Sequence, residues 1–139
     1  MTIHLTYSEN ENDFVAAWAA SHLPYVGNDG FGPCIAMSIM DDQKRIGAVV
    51  YHRYMGYDCE MSIYTESPKW AQKGIIKRIF DYPFEQLNVR RVTSTIAVDN
   101  YKAQRLVQRL GFVKEGHLRL GFGDQDAILY GLLRNERRF

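Results

Sequence analysis

Few of the side chains that usually carry chemistry are grouped in this chain of 139 residues. His4, His22, His52 and His117 are scattered singly, so no metal centre is expected and each reads as structural or surface. Cys34 and Cys59 sit in apolar or strand-like stretches without a His/Asp partner at a diagnostic spacing. They read as buried, reduced thiols rather than a disulfide or a nucleophile. Charge says more. Residues 1–60 carry three Lys and Arg against eight Asp and Glu, and residues 61–139 carry fourteen against eight. An anion is therefore expected on the second half. A polyphosphate would use a subset of these cations, and the rest cover solvated faces. No basic cluster is longer than two residues, which argues against nucleic acid.

Holding such groups in place needs a core, and 46% hydrophobic and 13% aromatic residues supply one in a length suited to one domain, residues 1–139. No apolar run approaches a membrane span, and Met1-Thr2-Ile3-His4 lacks the basic start and apolar middle of a secretory leader. The expectation is a cytoplasmic protein with no membrane partner.

The pattern along the chain is α/β. Ile3 to Tyr7 alternates like a strand, and Ser8 precedes a helical segment with Phe14, Val15, Trp18 and Ala19 on one face. A loop follows, marked by Pro24, Gly27, Asn28, Asp29, Gly30, Gly32 and Pro33. Strands are expected at Cys34–Met40 and Ile46–Tyr54, joined as a hairpin around Asp41-Asp42-Gln43-Lys44, and at Cys59–Thr65. Trp70–Leu87 is helical in pattern, with Pro83 predicting a kink or break near Asp81 and Tyr82. After a strand at Val92–Val98, a helix and two closing strands, Phe112–Phe122 and Ala127–Leu133, complete the sheet. The strand–helix–strand crossover from Ile63 to Val98 requires one parallel pair in a mostly antiparallel sheet.

The helix before those closing strands is the most specific unit. In Asn100–Gly116, Asp99 or Asn100 can cap the helix, Ala103, Leu106, Val107 and Leu110 share a face, and Gly111 supplies the positive φ that ends it. An Asn followed eleven and twelve residues later by Gly-Phe, then by Glu115-Gly116 and Arg119, resembles the C-terminal half of the GNAT acyl-CoA N-acyltransferases. The likeness is closest to the branch that acetylates ribosomal-protein N-termini. It implies a single-domain α/β (α+β) GNAT fold with six or seven strands, about four helices and one parallel pair at the cofactor cleft.

The resemblance also implies a site. GNAT enzymes hold the pyrophosphate of acetyl-CoA at the N-terminus of the helix after the cleft strand, on Arg/Gln-x-x-Gly-x-Gly/Ala. The aligned residues here are Ala71, Gln72, Lys73, Gly74, Ile75 and Ile76, of which Gly74 alone keeps the pattern, with Lys77 adding charge nearby. Backbone groups of Ile63, Tyr64 and Thr65 would pair with pantetheine, and a bulge there would expose an N–H to the thioester oxygen. Asn100 would lie near the same arm, and Lys102 and Arg105 near the adenosine phosphates. In "CEMSIY", Glu60 takes the place of a general base acting directly or through water, the alternative being a strand-edge carboxylate paired with Arg. The family's usual acidic hydroxyls are replaced by Ala103 and Val107. Tyr101, Tyr64, Tyr130 or water would have to protonate the leaving thiolate.

A primary-amine acceptor, on a small molecule or a protein, would enter near Tyr51, His52, Tyr54, Met55 and Tyr57, whose rings suit stacking or cation–π contact. The same residues suit a folded core or a homodimer interface. Three readings follow: an acetyl-CoA-dependent N-acetyltransferase, a GNAT-fold binding module without catalysis, and a factor acting on nucleic acid.

Overall fold

The computed structural model describes residues 2–27 and 29–139; Met1, in the leader reading, and Asn28, in the first loop, lie outside the described residues. Seven strands form one sheet: β1 (Ile3–Thr6), β2 (Cys34–Asp41), β3 (Lys44–His52), β4 (Asp58–Thr65), β5 (Arg91–Ala97), β6 (Val113–Leu118) and β7 (Ala127–Leu133). Their order is β1-β2-β3-β4-β5-β7-β6. All neighbours are antiparallel except β4 and β5, the pair the crossover demanded. The helices are α1 (Asn12–Ser21), α2 (Lys73–Asp81), prolonged by a π turn at Tyr82–Gln86, and α3 (Tyr101–Arg109). This is the mixed α/β architecture expected.

Each face of the sheet has its own core. One joins Val49, Met61, Val92, Tyr130 and Leu132 to Ile75, Ile79 and Phe80 of α2 and Val107 of α3. The other is smaller and seats Val15, Ala16 and Ala19 of α1 on Ala36, Ala48 and Val50. Alanines on both sides let α1 lie close to the strands. The buried stripe of α1 is therefore rotated from the one expected, and Phe14 is exposed with the Arg45 guanidinium 5.3 Å from its ring centroid. Ser8 does not adjoin α1. It precedes a 3-10 turn at Glu9–Glu11, and α1 is pinned instead by Asn12, whose side chain donates to Cys34 O (3.0 Å) and accepts from Ala36 N (2.8 Å).

Pro83 explains the end of α2. Lacking an N–H, it cannot bond to the carbonyl of Ile79 one turn back, and its ring crowds that carbonyl. The chain responds by widening into the π turn, closed by Leu87 N to Tyr82 O at 3.0 Å. The orphaned Ile79 carbonyl accepts a 2.6 Å bond from the Tyr51 hydroxyl, which reaches it from the sheet. Removing the Tyr51 hydroxyl would leave a buried acceptor unmatched, a loss of about 1–3 kcal/mol.

The α3 unit forms as its sequence predicts. Asn100 accepts from Ala103 N at 3.2 Å, Gly111 has φ 106°, and Phe112 N and Gly111 N bond to Val107 O (2.9 Å) and Gln108 O (3.1 Å). That pair of bonds is a Schellman ending, with Phe112 buried behind it.

Candidate active site

The site is built on the parallel pair, which is short. β4 and β5 are in register only at Asp58–Arg91, Cys59–Val92 and Glu60–Thr93. Beyond Glu60 the strands part, and Ser94 Oγ donates to Met61 O at 3.2 Å across the start of the gap. Main-chain groups alternate in direction along a strand, so Ile63 and Thr65 turn theirs to the same side as Met61, into the split. Tyr64 turns its own toward β3. The pairing of β4 with β3 runs from Gly47–Thr65 to His52–Glu60 without a register shift. No bulge forms at residues 63–65, so the N–H groups are exposed by divergence from β5.

Glu60 stands at the apex of this split. Its carboxylate is three-quarters buried, 3.4 Å from Arg53 Nε and 3.9 Å from His52 Nε2. Burial pushes the Glu60 pKa up, Arg53 pulls against that, and Asp58 adds to it. His52 goes the other way. Burial and Arg53 lower its pKa to about 4, so near neutral pH the His52–Glu60 contact is not an ion pair. Instead His52 Nε2 lies 3.0 Å from Ser62 Oγ, and burial raises the pKa of Tyr25. Tyr25 also stacks on Phe122, 4.4 Å between centroids, joining the loop after α1 to the β6–β7 loop. A cavity of about 690 Å³ opens beside Glu60, walled by Phe31, Cys34, His52, Arg53, Tyr54 and Tyr82 among others.

Both helices that follow the diverging strands begin at the mouth of the split. A 3-10 turn, Pro68–Trp70, leads from β4 into α2 and is fixed by Ser67 accepting from Lys69 N and by the buried ring of Trp70. Gln72 is the N-cap of α2 but makes no side-chain cap bond, and no acidic residue stands in the first turn. Among the described residues, the N–H groups of Lys73, Gly74 and Ile75 have no acceptor. A Cβ added at Gly74 would meet nothing within 4 Å, and its φ is not in the left-handed region. Neither packing nor backbone geometry requires glycine there. Close approach of a ligand would.

The Acetyltransferase (GNAT) domain profile matches residues 4–113. This chain belongs to that family. It is 33% identical over 111 residues to YdaF of Bacillus subtilis (strain 168), provisionally named a ribosomal N-acetyltransferase, covering 73% of this chain and 61% of that protein. It is 46% identical over 87 residues to the spermidine N(1)-acetyltransferase of Vibrio cholerae serotype O1, covering 58% of this chain and 50% of that one. The chain thus spans about 50–61% of the length of these curated relatives. A crystal structure of spermidine N-acetyltransferase from Vibrio cholerae in complex with CoA and spermine shares the fold, with TM-score 0.73 and 22% identity over 96% of each chain.

Within the GNAT frame, the anticipated residues divide. Glu60 and His52 come together at the cavity, and Tyr51 lends it a ring while its hydroxyl stays with Ile79. Tyr57 is exposed outside that wall. Gln72, Lys73 and Gly74 are exposed at the start of α2, whereas Ile75 and Ile76 bury their side chains and offer only backbone. Lys77 Nζ bonds to Asp81 at 2.9 Å, toward the far end of α2. Asn100 caps α3, with Arg105 exposed one turn on. Of the candidate acids, Tyr130 is buried and accepts from Gln108, Tyr64 stacks on His22, and Tyr101 is exposed. Sequence reasoning overlooked Ser62, Arg53, Tyr25 and Phe122. Ser62 had a signal, lying two residues from Glu60 on the same face; the loop residues had none.

Proposed function

We propose that this chain is an acetyl-CoA-dependent N-acetyltransferase that passes the acetyl group directly to a primary amine. The observation that carries the reading is Glu60, a carboxylate made more basic by burial, at the apex where β4 and β5 part. Acetyl-CoA supplies an acyl group activated as a thioester. The free N–H groups and open Gly74 at the start of α2, with Lys73 in its first turn, suit the pyrophosphate. Lys73 at the positive end of the helix dipole is unfavourable alone and is offset when an anion docks. The backbone of Ile63 and Thr65 suits the pantetheine arm as an added strand, and an N–H in the split can donate to the thioester oxygen. Glu60 takes a proton from the incoming ammonium so that the nitrogen lone pair can attack. The C–N bond forms, the C–S bond breaks, and the second proton shed by the acylated nitrogen passes through water to the departing thiolate, since the family's usual hydroxyl positions are Ala103 and Val107.

Calorimetric titration with acetyl-CoA and a thiol-release assay over a panel of amines test this reading. Glu60→Gln keeps shape and hydrogen-bonding reach, so acetyl-CoA affinity should hold while turnover falls about a hundredfold near neutral pH. The deficit should narrow as pH rises and free amine accumulates. Folding should not suffer. A carboxyl whose folded-state pKa is raised destabilises the native state as pH climbs through the unfolded and then the folded value, so the amide removes a cost. A loss below about threefold at saturating amine, with chemistry limiting, would assign the base to water.

A further inference from the structure

The cavity beside Glu60 has a wall chemistry that discriminates among amines, and the following rests on the acetyl-transfer reading above. At about 690 Å³ it is the size of a small-molecule site, far larger than an ammonium group needs. Phe31, Tyr54, Tyr82 and Leu87 give it an apolar lining. Its ionised residues are Glu60 and Arg53, because His52 is neutral near pH 7. Asp58, beside Glu60, is a further acid, and it is not available. It is buried, held by Arg53 Nη2 at 2.8 Å and Thr93 Oγ1 at 2.8 Å, with Arg91 Nε at 3.6 Å.

We infer that the cavity receives the body of the acceptor, and that the acceptor is a primary amine with one aromatic or branched apolar body and no second cation. An amine nitrogen at Glu60 leaves the rest of the molecule among rings and aliphatic carbon, where apolar area is removed from water. A second ammonium on the same molecule would enter that space with no carboxylate but Glu60 among the lining residues and with the Arg53 guanidinium on the wall. Desolvation and like-charge repulsion both oppose it there. Cation–π contact with Tyr54 or Tyr82 would return only part of the loss. Polyamines should therefore be poor acceptors, although a spermidine N(1)-acetyltransferase is 46% identical to part of this chain.

The test is kcat/KM by thiol release at saturating acetyl-CoA for 2-phenylethylamine, methylamine and spermidine. The expected order places 2-phenylethylamine at least tenfold above spermidine. Cys34→Phe, which fills the cavity from its wall, should lower kcat/KM for 2-phenylethylamine about tenfold more than for methylamine. If that variant does not fold, Tyr54→Ala at the exposed rim reads the same space and should raise KM for 2-phenylethylamine severalfold relative to methylamine. Spermidine turned over as well as or better than 2-phenylethylamine overturns the acceptor class while leaving acetyl transfer standing. Equal losses for the two monoamines in the folded variants overturn the cavity as the acceptor site. No thiol release with any amine, despite acetyl-CoA binding, removes the underlying reading itself.

Discussion

α2 and α3 each follow one of the two diverging strands, yet they treat their first N–H groups differently. α3 is capped once by its own residue, Asn100 accepting from Ala103 N, and is tied to the end of β5 by Gln104 Nε2, which donates to Ala97 O (3.1 Å) and Val98 O (2.9 Å). α2 has no side-chain cap, and its first three N–H groups lack acceptors among the described residues. Both carry a lysine rather than an acid in the first turn. Since a capping bond is worth about 1 kcal/mol, the uncapped start with a free approach over Gly74 is the one of the two that a docking ligand would stabilise more. The capped start holds its strand and helix in register whether or not a ligand is present.

Three measurements sharpen or break that contrast. The largest effect belongs to Gly74→Val, which should weaken acetyl-CoA binding at least tenfold by occupying the approach over the N–H groups, about 1.4 kcal/mol. Its melting temperature should hold nearly level, because the new side chain starts from open space. Unchanged affinity would mean that the pyrophosphate lies elsewhere. Asn100→Ala should do the opposite, costing about 1 kcal/mol of stability in denaturant titration and little phosphate-dependent affinity. A mutant that kept full stability but lost acetyl-CoA would merge the two helix starts into one ligand site. The smallest effects come from neutralising Lys73, Lys77 and Arg105 singly, about 0.3–1 kcal/mol each. Losses should be greater for acetyl-CoA than for a pantetheine thioester without the nucleotide, and least at Lys77, which is already engaged by Asp81. Equal losses for both ligands would separate the charges from the phosphates.

Local signals in the sequence carried most of the architecture. Gly111 and Phe112 mark the end of α3 because a positive φ and its apolar follower are encoded within two residues. The parallel pair followed from topology alone. Errors arose where a distant partner decided. Phe14 fits the helical stripe, but small residues on two strands drew α1 down along another line. Pro83 announced a break in α2. That Tyr51 would take the freed carbonyl depended on a residue 28 positions away. At the candidate site, the family resemblance made Glu60 legible and strand alternation places Ser62 within its reach, whereas Arg53, Tyr25 and Phe122 arrive on turns and loops that carry no period.

The shortness of the β4–β5 ladder has a consequence in time. Seven strands are continuous in order, yet β1–β4 and β5–β7 are joined along only three residue pairs. Past Glu60 the bond from Ser94 Oγ to Met61 O still crosses that seam, and beyond it the main chain faces a gap. Amide protons of Ile63 and Thr65 should therefore trade with solvent deuterium on the schedule of a loop, while Ser62 and Tyr64, bonded to β3, trade on the schedule of the core. A ligand lying in the gap as a strand would slow the first pair and leave the second pair as it was. The odd–even alternation of exchange along β4 would then fade, recording the closing of the sheet one amide at a time.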